Sequence, residues 1–370
     1  MRPSPTDHSI TQLAALIEAL PAAEEARARR LFAVQESEAH MRLTPPMRGW
    51  AERTFGPAEA LERQSVVRVS NLVTGEGALF NSLRARRPLQ TGRTSGWTGG
   101  DAVARALEDD PWADPLAATP EEPGGRLSNE HALTAANIAS YDALHTILVH
   151  RNSDPLAFTA DSLKGQLALA GQWMRQTHAA HPEARYPYLL WNCLWRAGGS
   201  VVHGHMQALV ARERAYAKVE RLRRDIAAYR AEHGADYFTE LTATHRALGL
   251  AVDLGPVTAM ASLTPLKEKE VVLLAPALDD GALAVALAHV LGVLRDDLGV
   301  RSFNVGVLLP PLGGPHEGWE GFPVIAQVVD RGGLDARTSD FGGMELFAES
   351  VVASDPFALA TALRAGGEAG

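Results

Sequence analysis

The sequence predicts an α+β protein built from two copies of a strand–strand–helix–strand–strand unit, preceded by a helical extension. Three observations predict it. Apolar residues recur at helical spacing through residues 1–64, short β-prone runs take over from Val66, and the order of runs and helices in 65–235 returns in 236–370. A chain of 370 residues, 46% hydrophobic and 21% charged, has enough apolar side chain for a large core and an ordinary globular surface.

The elements follow in order. "SITQLAALIEALPAAEEARARRLFAVQESEAHM" reads as helix, divided at Pro21, and Pro45 and Pro46 interrupt the pattern. "VVRVSNLVTGEGALFNSL" reads as a hairpin around a Thr-Gly turn, followed by four arginines in "RARRPLQTGR". Residues 91–126, rich in Gly, Pro, Asp and Ala, read as a loop excursion. "HALTAANIASYDALHTILVHR" ends in a β-prone run. "TADSLKGQLALAGQWMRQTHAAH" has helical spacing behind polar starters at Thr159 and Asp161. "YPYLLWNCLW" and "VHGHMQALVA" are strands, and "RERAYAKVERLRRDIAAYRAEHG" is a charged amphipathic helix. In the second copy, "PVTAMASLTPLKEKEVVLLAP" gives two strands, "DDGALAVALAHVLGVLRDDLG" a helix, and "FNVGVLLPP" and "FPVIAQVVDR" two more strands. The implied organisation is a helical extension (1–64), a first repeat (65–235) and a second, degenerate repeat (236–370).

Bulk properties narrow the function. A net charge of −9 argues against a general nucleic-acid binder. The single cysteine, Cys193, excludes an intrachain disulfide framework and a thiolate-rich zinc site. The N-terminus lacks the apolar core of a signal peptide, and no run approaches the roughly 18–20 apolar residues that span a bilayer. The expectation is a cytoplasmic protein with neither nucleic acid nor membrane as partner.

The chemistry concentrates in "AGGSVVHGHMQALV", residues 197–210. On a strand, His203, His205 and Gln207 share one face. A neutral imidazole with one nitrogen aimed at phosphorus and the other held by an acceptor is a nucleophile for phosphoryl transfer. An amide at Gln207 donates to a phosphate oxygen without the repulsion a carboxylate would bring. Gly198 and Gly199 let backbone come close to a phosphate, and Ser200 adds a donor. An isolated HxH equally fits a packed pair or a metal half-site, for which His145, His150 and His178 are the candidate further ligands.

"NCLWRAGGSVVHGHMQ" resembles the active-site segment of the galactose-1-phosphate uridylyltransferase branch of the histidine-triad (HIT) superfamily, where an Asn and a small-residue loop with Ser precede H-x-H-x-Q. In the hydrolase branch a third His stands where this chain has Gln207. Three outer stretches resemble the same family in the same order: "NLVTGEGALFNSLRARRPLQTG", "LSNEHAL" and "FGGMELFAE". The resemblance covers about residues 66–365 and implies two HIT-like repeats in a mostly antiparallel, half-barrel-like sheet flanked by helices. It implies that His205 is the nucleophile, with its other ring nitrogen held by the His203 carbonyl. Gln207, Ser200, Gly199 and Asn192 would then hold the phosphate. Arg84 and Arg87 would contact the phosphorylated substrate, Asn129 and Glu130 the nucleoside, and Glu345 sugar hydroxyls. Arg84 and Arg87 also fit a solvated turn, Asn129 a turn cap and Glu130 an exposed surface. Asn192, inside an apolar run, needs a hydrogen-bonding partner of some kind.

The chain also departs from that family. "TSGWTGG" stands where many members carry a C-x-x-C, so His203, a zinc ligand in the family, has lost its partners, and Ile325 and Gln327 replace the HxH of the second repeat. We therefore expect no structural metal and no cofactor. Met344 replaces a Tyr before Glu345, and Ser339–Asp340 stand near an expected Lys-Phe, which alters the sugar pocket. The resulting expectation is a nucleotidyltransferase that moves a nucleoside monophosphate from a nucleotide sugar or dinucleotide to a sugar 1-phosphate or inorganic phosphate. The alternatives are a nucleotide-binding protein without transfer activity and a nucleotide hydrolase. The resemblance further implies a homodimer in which the hairpin arginines complete the partner's site.

Overall fold

A computed structural model describes residues 8–86, 99–336 and 338–366. Pro21 sits where its missing N–H is harmless: α1 (Leu13–Glu18) ends before it and α2 (Ala22–Leu31) begins after it. The expected helix does not continue to Met41. Residues Phe32–His40 form strand β1, which corrects the reading of 1–64 as wholly helical. α3 (Pro45–Phe55) and α4 (Ala58–Glu62) follow, then β2 (Arg63–Asn71) and β3 (Gly77–Phe80). β1 pairs antiparallel with β2 in full register, Phe32 opposite Asn71 and His40 opposite Arg63. Apolar content at helical spacing loses here to the open edge of β2, whose backbone groups the nine residues of β1 satisfy. Beyond Val34 the strand is polar and exposed, with Glu38 paired to Arg63 at 2.8 Å, as suits a sheet edge.

The excursion after the hairpin is partly helical: α5 (Gly99–Glu108) and α6 (Pro115–Ala118) lie within it. The first repeat then runs β4 (Ala132–Ala136), β5 (His145–His150), α7 (Ala160–Ala180), β6 (Ala184–Cys193) and β7 (His205–Arg212). Thr159 caps α7 with a reciprocal Ser162 capping box, worth about 1 kcal/mol. Leu163, Leu167, Ala170 and Met174 turn one apolar face of α7 onto the sheet. α8 (Ala217–His233) and α9 (Tyr237–Ala247) connect to the second repeat. That repeat comprises β8 (Ala251–Leu254), β9 (Val257–Ala261), β10 (Val271–Ala275), α10 (Ala282–Gly292), β11 (Phe303–Leu308) and β12 (Val324–Asp330). α11 (Gly343–Phe347), β13 (Ser350–Val352) and α12 (Pro356–Gly366) complete the described chain.

Nine strands form one open sheet in the order β4-β5-β7-β6-β11-β12-β10-β9-β8, antiparallel at every junction. The order is mirrored about its centre: β4-β5-β7-β6 in the first repeat answers β9-β10-β12-β11 in the second. The repeats meet where β6 pairs with β11, and that register sets Asn192 opposite Asn304. β13 runs parallel to β3 and closes a second, four-stranded sheet, β1-β2-β3-β13. No helix among the described residues is long and apolar enough to cross a membrane.

Candidate active site

β7 alternates as a strand must. Met206, Ala208 and Val210 point into the core on the α7 side, so His205 and Gln207 share the opposite face. His203 does not join them on the strand, because β7 begins at His205 and His203 lies in the preceding loop. Its place off the strand is what lets its main chain bend back: the His203 carbonyl oxygen lies 2.8 Å from His205 Nδ1. A carbonyl only accepts, so Nδ1 carries the proton and Nε2 keeps the lone pair. Burial lowers the His205 pKa, which keeps the ring neutral near neutral pH.

Gln207 is oriented by a residue first considered only as a metal ligand. The Tyr141 backbone N–H donates to His145 Nδ1 at 3.1 Å, so the proton of this neutral ring is on Nε2. Nε2 in turn donates to Gln207 Oε1 at 2.9 Å, and Asn137 Nδ2 approaches the same oxygen at 3.4 Å. The amide oxygen is committed to these donors, which leaves the Gln207 NH₂ as the group free for an anion.

Asn192 is fixed in the same sense from the other repeat. Asn304 Nδ2 donates to Asn192 Oδ1 at 2.7 Å and to the Ala197 carbonyl at 2.9 Å. Asn304 Oδ1 accepts from Arg331, whose guanidinium makes two hydrogen bonds to Asp340, at 2.6 and 2.9 Å. Asp340 thus has a structural partner within the chain and holds a network ending at Asn192. Leu194 (φ +69°) is a buried non-glycine residue in the left-handed region at the entry to the 194–200 turn. At Gly199 a Cβ would stand 2.8 Å from the Asn192 carbonyl oxygen, so glycine is required by the loop's own folding. Ser200 is exposed at the end of that turn.

Above this face, the excursion brings Trp112 against both histidines, with ring centroids 6.1 Å from His203 and 5.1 Å from His205. Trp112 also packs on an apolar floor of Leu133, Ala135, Ile147 and Val149. Asp110 in the same segment meets His203 Nδ1 at 2.7 Å.

The other expected residues lie elsewhere in the chain. Asn129 precedes edge strand β4, where its Oδ1 accepts from the His131 and Ala132 N–H groups and its Nδ2 donates to the Gly165 carbonyl. Glu130 beside it is exposed. Arg84 is exposed on a short 3₁₀ turn after β3, in the smaller sheet, and Arg87 lies outside the described residues. Glu345 stands in the first turn of α11 with its carboxylate on the Gly342 N–H, and with Glu270 and Gln327 it lines a cavity of about 310 Å³ between the β2–β3 hairpin, α8 and the second repeat. Within one chain, His205, Gln207 and Asn192 gather with His145, Asn304 and Trp112, whereas Arg84, Asn129 and Glu345 do not join them.

Asn304 had a readable signal, an amide inside the apolar strand "FNVGVLL" at the place the repeat makes equivalent to "YLLWNCL". His145 and Asp110 had none, because their partners are set by strand register and loop path.

No protein-family model and no curated protein matches the chain. Among solved structures it is similar to an ADP-glucose phosphorylase from Arabidopsis thaliana, solved with bound ADP-glucose, at 16% identity over 79% of this chain and 96% of that one, TM-score 0.59. It is also similar to a GalT-like protein from Arabidopsis thaliana (17% identity, 67% and 89% covered, TM-score 0.55). A uridylyltransferase mutant gives 15% identity, 68% and 93% covered, and a TM-score of 0.53. At such identities the likeness is one of architecture: the chain shares its fold with these three proteins.

Proposed function

We propose that the protein is a nucleotidyltransferase working through a nucleotidyl-His205 intermediate. The observation that carries this reading is the imidazole itself: Nδ1–H held by the His203 carbonyl, Nε2 bearing a lone pair, and the Asn192 and Gln207 amides oriented with their NH₂ groups free. Nε2 attacks the α-phosphorus of a nucleotide sugar or dinucleotide, an N–P bond forms, and the P–O bond to the departing phosphate breaks. An oxygen of a sugar 1-phosphate or of inorganic phosphate then attacks the same phosphorus and releases the ring. Nδ1–H stays in place in both steps, and its carbonyl partner stabilises the positive charge the ring acquires. Amide donors bind the phosphoryl oxygens throughout without adding negative charge. Arg84, apart from His205 in its own chain, fits the reading through a homodimer in which it reaches the partner's site, the role the family resemblance implies for both Arg84 and Arg87.

Brief incubation with nucleotide sugars labelled in the α-phosphate should leave an acid-labile, base-stable label on the protein and none on His205→Ala. Binding of several nucleotides without any label would favour the non-catalytic alternative.

His145→Ala should lower kcat about tenfold with KM nearly unchanged, since it removes the shorter of the two charge-free hydrogen bonds that orient Gln207. In a Gln207→Ala background the same change should add less than about twofold. Steady-state kinetics of the four proteins checks this, and additive effects would show that His145 acts independently of Gln207.

A further inference from the structure

His203 is held at both ring nitrogens. Nδ1 lies 2.7 Å from Asp110 Oδ2, and Nε2 lies 2.8 Å from the His150 carbonyl oxygen. The Asp110 and His203 side chains are only 5% and 4% exposed. The second carboxylate oxygen of Asp110 accepts from the Trp112 N–H at 2.9 Å, so the same group also anchors the turn that places Trp112. With acceptors at both nitrogens, His203 offers no lone pair to a metal, and these residues do not fit the structural zinc that the family resemblance implies at this histidine.

We propose that Asp110 is a positioning residue, an internal carboxylate clamp that holds the HxH loop where the family uses a metal. The inference rests on the reading of His205 as nucleophile. The peptide joining His203 to Gly204 matters most, because its carbonyl fixes His205 Nδ1 and its N–H donates to the Ser153 carbonyl at 2.8 Å. Ser153 holds that peptide from the main-chain side, and Asp110 and the His150 carbonyl hold it from the side chain of His203. Gly204 has no room to adjust, since a Cβ there would stand 2.7 Å from His150 Nδ1. Without Asp110 the His203 ring keeps one anchor of two, and the carbonyl that sets the His205 tautomer gains freedom to swing. A buried imidazole facing a carboxylate is also costly to leave alone, so the clamp is specific to the pair. The excursion that carries Asp110 thereby acquires a role in the chemistry: it locks the loop beneath it.

The test uses the full chain as wild type, Asp110→Ala and Asp110→Asn, with ¹⁵N-histidine spectra of the ligand-free protein and rates of His205 labelling. The wild type should show His203 protonated at both nitrogens and His205 at Nδ1 alone, with no change on adding a chelator. Asp110→Ala should broaden or remove the His205 Nδ1–H signal. It should also slow labelling by about 10- to 100-fold with nucleotide KM within about threefold, the size expected for a displaced reacting group. Asp110→Asn, which keeps an acceptor oxygen, should fall between; if Asp110→Ala does not fold, the same readings on Asp110→Asn decide the matter. An unchanged His205 signal and labelling rate in a folded variant would overturn the clamp, as would one chelator-removable zinc per chain whose loss erases that signal. If no nucleotide labels the wild type, the transfer reading fails while the spectra still decide the clamp.

Discussion

Replacing His205 with glycine should abolish transfer, with a loss on the order of 10⁴-fold or more, while nucleotide binding weakens by no more than about threefold. The asymmetry follows from how the site is divided. His205 alone presents a fixed lone pair on this face, whereas the donors for phosphate oxygens sit on Asn192 and Gln207. Those two are oriented by partners that the substitution does not touch, Asn304 and His145. Glycine also leaves an imidazole-shaped space beneath Trp112, bounded by the His203 carbonyl that formerly held Nδ1. Free imidazole added to the variant should therefore restore part of the activity, through a phosphorimidazolide in place of the protein adduct. Stopped assays with and without imidazole, alongside nucleotide titration, measure each part. Full activity in His205→Gly would remove it from the role of nucleophile, and loss of binding equal to the loss of rate would make it a binding residue.

The sequence made some of this legible and not the rest, for identifiable reasons. Period-two alternation through "VHGHMQALVA" correctly placed His205 and Gln207 on one face, and the repeated order of runs is present in the mirrored strand order of the sheet. Alternation failed one residue pair earlier, at His203, because the peptide before a strand obeys loop contacts: Ser153, His150 and Asp110 decide its path, and all three are distant in sequence. The same blindness affects Phe32–His40, whose helical spacing says nothing of the open edge of β2 beside it. It also left Asp340 readable only as a change in the sugar pocket, and hid that the residue is paired with Arg331 and acts through Asn304. Charge sign is visible in a sequence; charge partnership is a property of the fold. The second repeat shows the consequence most clearly. Lacking an HxH, it reads as degenerate, yet the β6–β11 seam lets it supply the Asn304, Arg331 and Asp340 network that orients Asn192.

Glu270→Gln should stabilise the protein increasingly as pH rises, by about 3 kcal/mol or slightly more at pH 8 relative to pH 5. Glu270 directly precedes β10, where it is 2% exposed. One carboxyl oxygen accepts from the Leu266 N–H at 2.9 Å, the other has a long contact of 3.4 Å with Gln327 Nε2, and Ser262 is a further hydrogen-bonding neighbour of the carboxyl. Burial pushes its pKa from 4.5 to about 8, because these few dipoles replace far less solvation than ionisation requires. In the unfolded chain the carboxyl loses its proton near pH 4.5, while the folded chain keeps it to about pH 8. Between those limits the folded state binds one proton more, so the contribution to stability is whole below about 4.5 and drains away as pH rises toward 8. Glutamine keeps the shape and the uncharged state and has no such dependence. His150 and His245, whose values burial depresses to about 3 and about 4, act in the opposite direction: they lose stability as pH falls below 6.5. The wild type alone should therefore be most stable between these two drifts, and the difference between wild type and Glu270→Gln isolates the carboxyl, since both histidines are common to the two proteins. Urea denaturation of both at pH 5, 6, 7 and 8 gives that difference directly. Parallel stability curves would mean that the folded chain already ionises Glu270 near its unfolded value, with a cation or water reaching the cavity it lines to solvate it.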